Sequence, residues 1–314
     1  MPEARPAPRS RTVRRLRPGR WVLGGAVVAV GALASLQTVG PPESTDTAEA
    51  EPAPDACGTP LTKSDGSPWT CTFAEDFDGT SLDEGRWTIQ ETVKTGFRSE
   101  ATCFTASEGN VSVADGVLRL TARDEGVPKS CRNAFDDFTT PYTGGMVGTK
   151  GKFSQTYGRF EVRAKYPPSN ASGLHGGFWM LPVDNKYGPW PSSGEIDVAE
   201  WWSTDPTLVP PSLHYKGRHY AADTGWNCRI SDVTGWHTYT VEWAPSGLDF
   251  FIDGEQCFSR SPVPADPLVP PQPFDQPFSM ILNFQVSMPS GTNKVSAATP
   301  FPATYEVDYA RAWK

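Results

Sequence analysis

From Cys57 onward, apolar and polar positions alternate with a period of two in several stretches: GVLRLTAR at 116–123, GRFEVRAKYP at 158–167 and HTYTVEWAP at 237–245. Successive side chains of a strand point to opposite faces, so each stretch predicts a strand with one face buried. LDFFIDGEQCF at 248–258 predicts two strands joined through Asp253-Gly254, residues suited to a tight hairpin turn. Gly and Pro recur too often to leave room for long helices. Short strands separated by frequent turns predict an all-β fold, a β-jelly-roll sandwich of two antiparallel sheets. Residues 124–150 and 261–277 lack the alternation and read as surface loops, the second being too Pro-rich for a strand interior. No internal repeat or break in composition follows residue 57, so residues 57–314 are expected to form one domain.

The preceding residues differ. Seven Arg and a single acid lie in the first twenty, followed by WVLGGAVVAVGALASL, uncharged from Trp21 to Leu36. A basic start and a short apolar run ending among small residues predict a secretory signal peptide over residues 1–40. The run falls short of the about twenty residues of a spanning helix, so no membrane association is expected once the signal is removed. Residues 41–56, PPESTDTAEAEPAPDA, are acidic and Pro-rich with little to bury, the composition of a flexible linker. The expected location is outside the cell.

Export changes how the cysteines and the charge read. Six cysteines (Cys57, Cys71, Cys103, Cys131, Cys228 and Cys257) follow the linker with no C-x-x-C pair, which favours disulfides over a zinc site. Of the 15 connectivities that six cysteines allow, the nearest-neighbour set (57–71, 103–131, 228–257) is the one expected here. Loss of residues 1–40 removes seven Arg and one Glu and takes the formal net charge from −8 to −14. So acidic a chain is not expected to bind nucleic acid, and it would repel strongly sulfated polymers.

EIDVAE at 195–200 concentrates the candidate chemistry. Glu195 and Asp197 share a strand face, but Glu200, five residues after Glu195, would point away on a regular strand. A helix fares no better. One extra residue accommodated as a β-bulge between Asp197 and Glu200 returns Glu200 to the face of Glu195. Two Glu on one concave face, bordered by Trp190, Trp201 and Trp202, are the equipment of glycoside hydrolysis, in which one carboxylate attacks and the other stays protonated as acid.

SGEIDVAE resembles the signature of glycoside hydrolase family 16 in its bulged form, Glu-(Ile/Leu/Val)-Asp-x-x-Glu. YGRFEVRAKYP, GFWMLP, WPSSGEIDVAE, HTYTVEWAPSGLDFFIDGE, PFSMILNFQVSMP and EVDYARAWK resemble further family segments in family order, from about Phe73 to Lys314. The resemblance implies a jelly-roll with a substrate cleft across its concave sheet, and cleavage of β-glycans with retention. Glu195 would be the nucleophile, Glu200 the acid/base, and Asp197 the group that tunes their protonation. The bulged spacing and WPSSGEIDVAE are laminarinase-like, implying a monomeric endo-β-1,3-glucanase whose partner is the polysaccharide. Other β-glycans, namely galactan, mixed-linkage glucan or cell-wall polysaccharide, are the alternative substrates, and a non-catalytic glucan-binding protein is the alternative class. Two departures bear on substrate: NFQVSMP lacks the two glycines of the family's N-L-x-V-G-G strand, and the loop STDPTLVPP after Trp202 is unusual.

The remaining candidates follow from parity and the resemblance together. Trp179, alternating with Phe178 and Met180, is expected to face the cleft and stack on a sugar ring; Trp190 and Trp202 are similar candidates. His214 in SLHYKG would sit beside the acid/base, and Asn283 and Gln285 share a face from which they could reach sugar hydroxyls. Asp308 matches a position that supplies a structural calcium ligand in many members. The chemistry itself requires no cofactor. His175, His219 and His237 are assigned no role.

Overall fold

The computed structural model describes residues 56–132, 137–169 and 171–314, so the expected signal peptide and all but the last residue of the expected linker lie outside the described residues. In chain order the strands are β1 (Cys71–Glu75), β2 (Thr88–Ile89), β3 (Cys103–Phe104), β4 (Val111–Ala114), β5 (Val117–Arg132), β6 (Asp137–Gly148), β7 (Gly158–Lys165) and β8 (Leu174–Pro182). They continue with β9 (Glu195–Trp202), β10 (Ser212–His214), β11 (His237–Ala244), β12 (Gly247–Ile252), β13 (Glu255–Arg260), β14 (Phe278–Val286) and β15 (Ala303–Trp313). The one helix among the described residues, α1, spans Thr92–Thr95, and no helix there is long and apolar enough to cross a membrane.

The strands pair along one path, β10-β9-β8-β14-β6-β5-β15-β7-β11-β12-β13. The long β5–β6 pair joins the β10-to-β6 layer to the β15-to-β13 layer, so the two sheets of the sandwich are continuous at that edge. All these ladders are antiparallel; β3, off the path, runs parallel to β6. Alternation decides the filling. Phe178 and Met180 of β8, Ile196 and Trp201 of β9 and Phe284 of β14 are buried in one core with Val162 of β7, Val241 of β11 and Tyr305 of β15. Aromatic contacts cross between layers: Tyr166 stacks on Trp201 at 5.0 Å and Phe284 on Tyr305 at 6.2 Å. Packed aromatic pairs of this kind add about 0.5–1.5 kcal/mol each beyond the area they bury.

Local sequence accounts for the turns. Asp253 and Gly254 both take positive φ, 51° and 82°, as a two-residue hairpin between right-twisted strands requires. The three disulfides are Cys57–Cys71, Cys103–Cys131 and Cys228–Cys257, the nearest-neighbour set. Residues 261–277 hold no strand.

Residues 124–150 depart from the loop expected there. β5 runs on to Arg132 and β6 returns from Asp137. In the outer half of this hairpin β5 is exposed from Asp124 to Ser130, so neither face selects apolar residues and the period-two signal vanishes. A register shift between Asp124 and Lys129 absorbs Gly126 and Pro128, and Cys103–Cys131 ties the extension to β3.

Candidate active site

The acidic triplet lies on β9, and its spacing is resolved by the ladder with β8. Asp197 is opposite Trp179 and Ala199 is opposite Phe178, so Val198 has no partner: the strand bulges at this residue. Beyond the bulge Glu200 is opposite Gly177. A Cβ on Gly177 would lie 2.4 Å from the carbonyl oxygen of Ala199, so glycine lets the bulged backbone approach β8. Glu200 is thereby returned to the side of Glu195, while Ile196, Val198, Ala199 and Trp201 are buried in the core.

Asp197 is the hub of the triplet. It is 2% exposed and close enough to both Glu195 and Glu200 to influence their protonation, and carboxyl groups so placed can bond only by sharing a proton. Trp190 Nε1 donates to Glu195 Oε2. Burial, then the charge of Asp197, pushes Glu195 up to about 8. Burial likewise raises Asp197 to about 7, against the pull of its bonds to the two Glu and of Arg218. Glu200 is raised well above the carboxylate range by burial and by both acidic neighbours. Burial thus holds protons on the triplet, shared among Asp197 and the two Glu. Of the pair, Glu195 has the indole donor and ionises more readily, while Glu200 keeps its proton.

Trp179 faces the cleft side of β8, its Nε1 donating to Asn283 Oδ1 at 2.8 Å and its ring 5.9 Å from Phe97. Trp190 is 60% exposed. Its loop is braced by the Pro-rich segment 261–277: Tyr187 donates its hydroxyl to Asp275 at 2.7 Å and Gln276 Nε2 donates to the carbonyl of Ser193 at 3.0 Å. Trp202 has the parity of Glu200 and stacks on His175 at 4.5 Å. His214, opposite Glu195 on β10, has Nε2 3.0 Å from Asp197 Oδ2, although that buried oxygen makes no aligned hydrogen bond.

The other expected site residues have partners within the protein. Asn283 and Gln285 share a face as expected, but both are buried and their polar groups are engaged within the protein. Asn283 accepts from Trp179 and donates to Gln285 Oε1 at 2.9 Å, and Gln285 donates to Ser99 Oγ at 2.8 Å. Their geometry suits them to hold Trp179 rather than to reach sugar hydroxyls. Asp308 Oδ2 accepts from Arg163 Nη1 at 2.5 Å.

Two residues join the site without a sequence assignment. His175 Nδ1 is 3.0 Å from the carbonyl of Trp201, so it carries the proton, and the bare Nε2 lies 3.9 Å from Glu200 Oε1. Its parity with Trp179 on β8 is the cue the sequence offers. Arg218 reaches His214 from the loop after β10, and nothing in the local pattern marks it.

Two cavities meet the triplet from different ends. One, of about 670 Å³, is lined by Glu195, Trp179, Trp190, Phe97 and Asn185. The other, of about 590 Å³, is lined by Glu200, Trp202, His214, Arg218, Tyr220 and Trp226. Both fall in the range of ligand clefts, about 300–1,000 Å³.

Paired carboxyl groups of unequal acidity, held on one strand between aromatic-lined cavities, define a glycosidase-type site on a β-sandwich. The model of Glycosyl hydrolases family 16 matches residues 98–311, and the chain belongs to that family. It is 31% identical over 267 residues to the glucan endo-1,3-beta-glucosidase A1 of Niallia circulans, covering 77% of this chain and 37% of that protein. It is 32% identical over 266 residues to the beta-glucanase of Rhodothermus marinus, covering 80% and 88%. The X-ray structure of the laminarinase from Rhodothermus marinus superposes with a TM-score of 0.63 at 31% identity, covering 78% of this chain and 97% of that one.

Proposed function

We propose that the protein is a secreted, monomeric endo-glycosidase that hydrolyses internal β-1,3 bonds of glucan with retention of configuration. The observation that carries the reading is the bulge at Val198, which sets Glu195 and Glu200 on one side of β9 with Asp197 between them. In the first step Glu195, its proton passed to Asp197, attacks the anomeric carbon as the glycosidic C–O bond breaks, and Glu200 gives its proton to the departing oxygen. Glu200, now ionised, takes a proton from water; the water oxygen attacks the same carbon and releases Glu195. Asp197 keeps the proton taken from Glu195 during the double displacement and gives it back once Glu195 is released. No cofactor enters either step.

The two cavities give the substrate a direction. The sugar that is attacked belongs beside Glu195, among Trp179 and Trp190, and the leaving sugar beside Glu200, among Trp202, Tyr220 and Trp226. Room on both sides of the triplet favours attack within a chain over trimming from its end. Similarity to glucan-cleaving relatives supports glucan as the polymer, and the apolar segment at 21–36 supports export.

The test is incubation with a panel of laminarin, mixed-linkage glucan, galactan and agar-type polymers, with sizing and linkage analysis of the products. Short β-1,3-linked oligomers from laminarin are expected at early times. Inertness toward laminarin with cleavage of another polymer would replace glucan as substrate, and inertness toward all would favour a binding protein.

A further inference from the structure

Arg218 lies outside every role given above, yet it is the most heavily engaged cation near the carboxyl groups. Its Nη2 donates to Ser212 Oγ at 2.6 Å and to Thr224 Oγ1 at 3.0 Å, and its Nη1 lies 3.2 Å from His214 Nδ1. The guanidinium also sits over the ring of Tyr220 at 5.0 Å. Ser212 opens β10 and Thr224 closes the same loop, bridged to one another at 3.1 Å. Cys228, four residues on, is bonded to Cys257 of β13. The guanidinium is therefore fixed from both ends of the loop.

A guanidinium has five N–H donors and no acceptor. Its contact with Nδ1 therefore requires an acceptor there, which places the proton of a neutral imidazole on Nε2. That is the nitrogen 3.0 Å from Asp197 Oδ2. The charged groups facing the ring are Glu195 and Asp197 from β9 and Arg218 from the loop, while the Trp190 indole lies 5.8 Å away. We propose that Arg218 is a positioning residue of the active site: it holds His214 as the neutral Nε2–H tautomer and presents that proton to Asp197. Burial and Arg218 both oppose protonation of His214, against the pull of Glu195, which agrees with the geometry. Asp197 Oδ2 otherwise has no hydrogen-bond partner, so a small turn of a neutral, N–H-bearing ring satisfies it. His175 is the counterpart: its bare Nε2 faces Glu200, so the two imidazoles offer a donor to the hub and an acceptor to the acid.

The proposal rests on the catalytic reading of the triplet, but its primary test does not. The chain has four His, so ring nitrogens can be assigned by long-range 1H–15N correlation on labelled protein, with His214→Gln identifying the resonance. In the native protein His214 is expected to be a neutral Nε2–H ring at pH 7 and above. A proton on Nδ1, or an imidazolium at that pH, overturns the proposal whether or not any glucan is cleaved. In Arg218→Gln the ring is expected to sample both tautomers, with kcat about 10–100-fold lower, the range seen when a partner that orients a metal-bound imidazole is lost, and KM changed far less. Arg218→Lys, keeping charge and a donor, is expected to recover part of kcat. A merely structural Arg218 would lower Tm in these variants while leaving the tautomer and the pH profile as in the native protein, and that result also overturns the proposal.

Discussion

Replacing Glu195 by Gln is expected to stabilise the protein as pH rises. Glu195 is pushed from its ordinary 4.5 to about 8 by burial and by Asp197. Above 4.5 the unfolded chain has released this proton while the native state keeps it. The stabilising effect of protonation is therefore complete below 4.5 and lost progressively as pH climbs toward 8. Each pH unit in that window costs about 1.4 kcal/mol, so the native protein gives up about 3 kcal/mol through this group between pH 4.5 and 7. Asp197 shares the proton, and the bond from Trp190 favours the ionised form, so about 1–2 kcal/mol is the expected gain for Glu195→Gln near neutrality. For a domain of this size that corresponds to a rise in Tm of about 2–8 °C. Thermal unfolding of both proteins at a series of pH values reads the difference. It should be small near pH 4.5 and widen toward pH 8. A difference independent of pH, or one that widens toward acid, would refute the argument that the triplet is held against its own charge.

Two further predictions concern the same strand. Glu200→Ala is expected to keep measurable activity on substrates with activated leaving groups, rising when azide is added, because azide can attack the glycosyl-enzyme without a general base; absence of rescue in a folded variant counts against the acid/base role. Gly177→Ala places a methyl group 2.4 Å from the Ala199 carbonyl and should displace the bulge. A shift of that kind is expected to lower kcat about 100-fold with a cooperative unfolding transition retained, checked by kinetics on laminarin and by calorimetry.

The bulge in the acidic strand was legible because its spacing violates strand periodicity, and a bulge is the economical way to reconcile three acids with one face. The resemblance put Trp179 on the cleft side and parity with Glu200 put Trp202 there; both line the cavities, while Phe178 and Trp201 are buried in the core. The outer part of the β5–β6 hairpin was illegible: with neither face buried, nothing selects alternation, and Gly126 and Pro128 read as loop. Asn283 and Gln285 were placed on the correct face, but their partners, Trp179 and Ser99, come from distant segments. Arg218 is the plainest case. Its contact with His214 depends on the course of the loop between Tyr215 and Cys228, which no local pattern fixes.

Double displacement turns on Glu195 as nucleophile, and a covalent trap addresses that most directly. The protein would be incubated with a laminaribiosyl donor bearing fluorine at C2 and a fluoride leaving group, which slows release of the glycosyl-enzyme, then digested and analysed by mass spectrometry. A single glycosylated peptide is expected, with the sugar on Glu195. A sugar on Glu200 would exchange the roles, and turnover of glucan with inverted anomeric configuration and no adduct would contradict double displacement altogether.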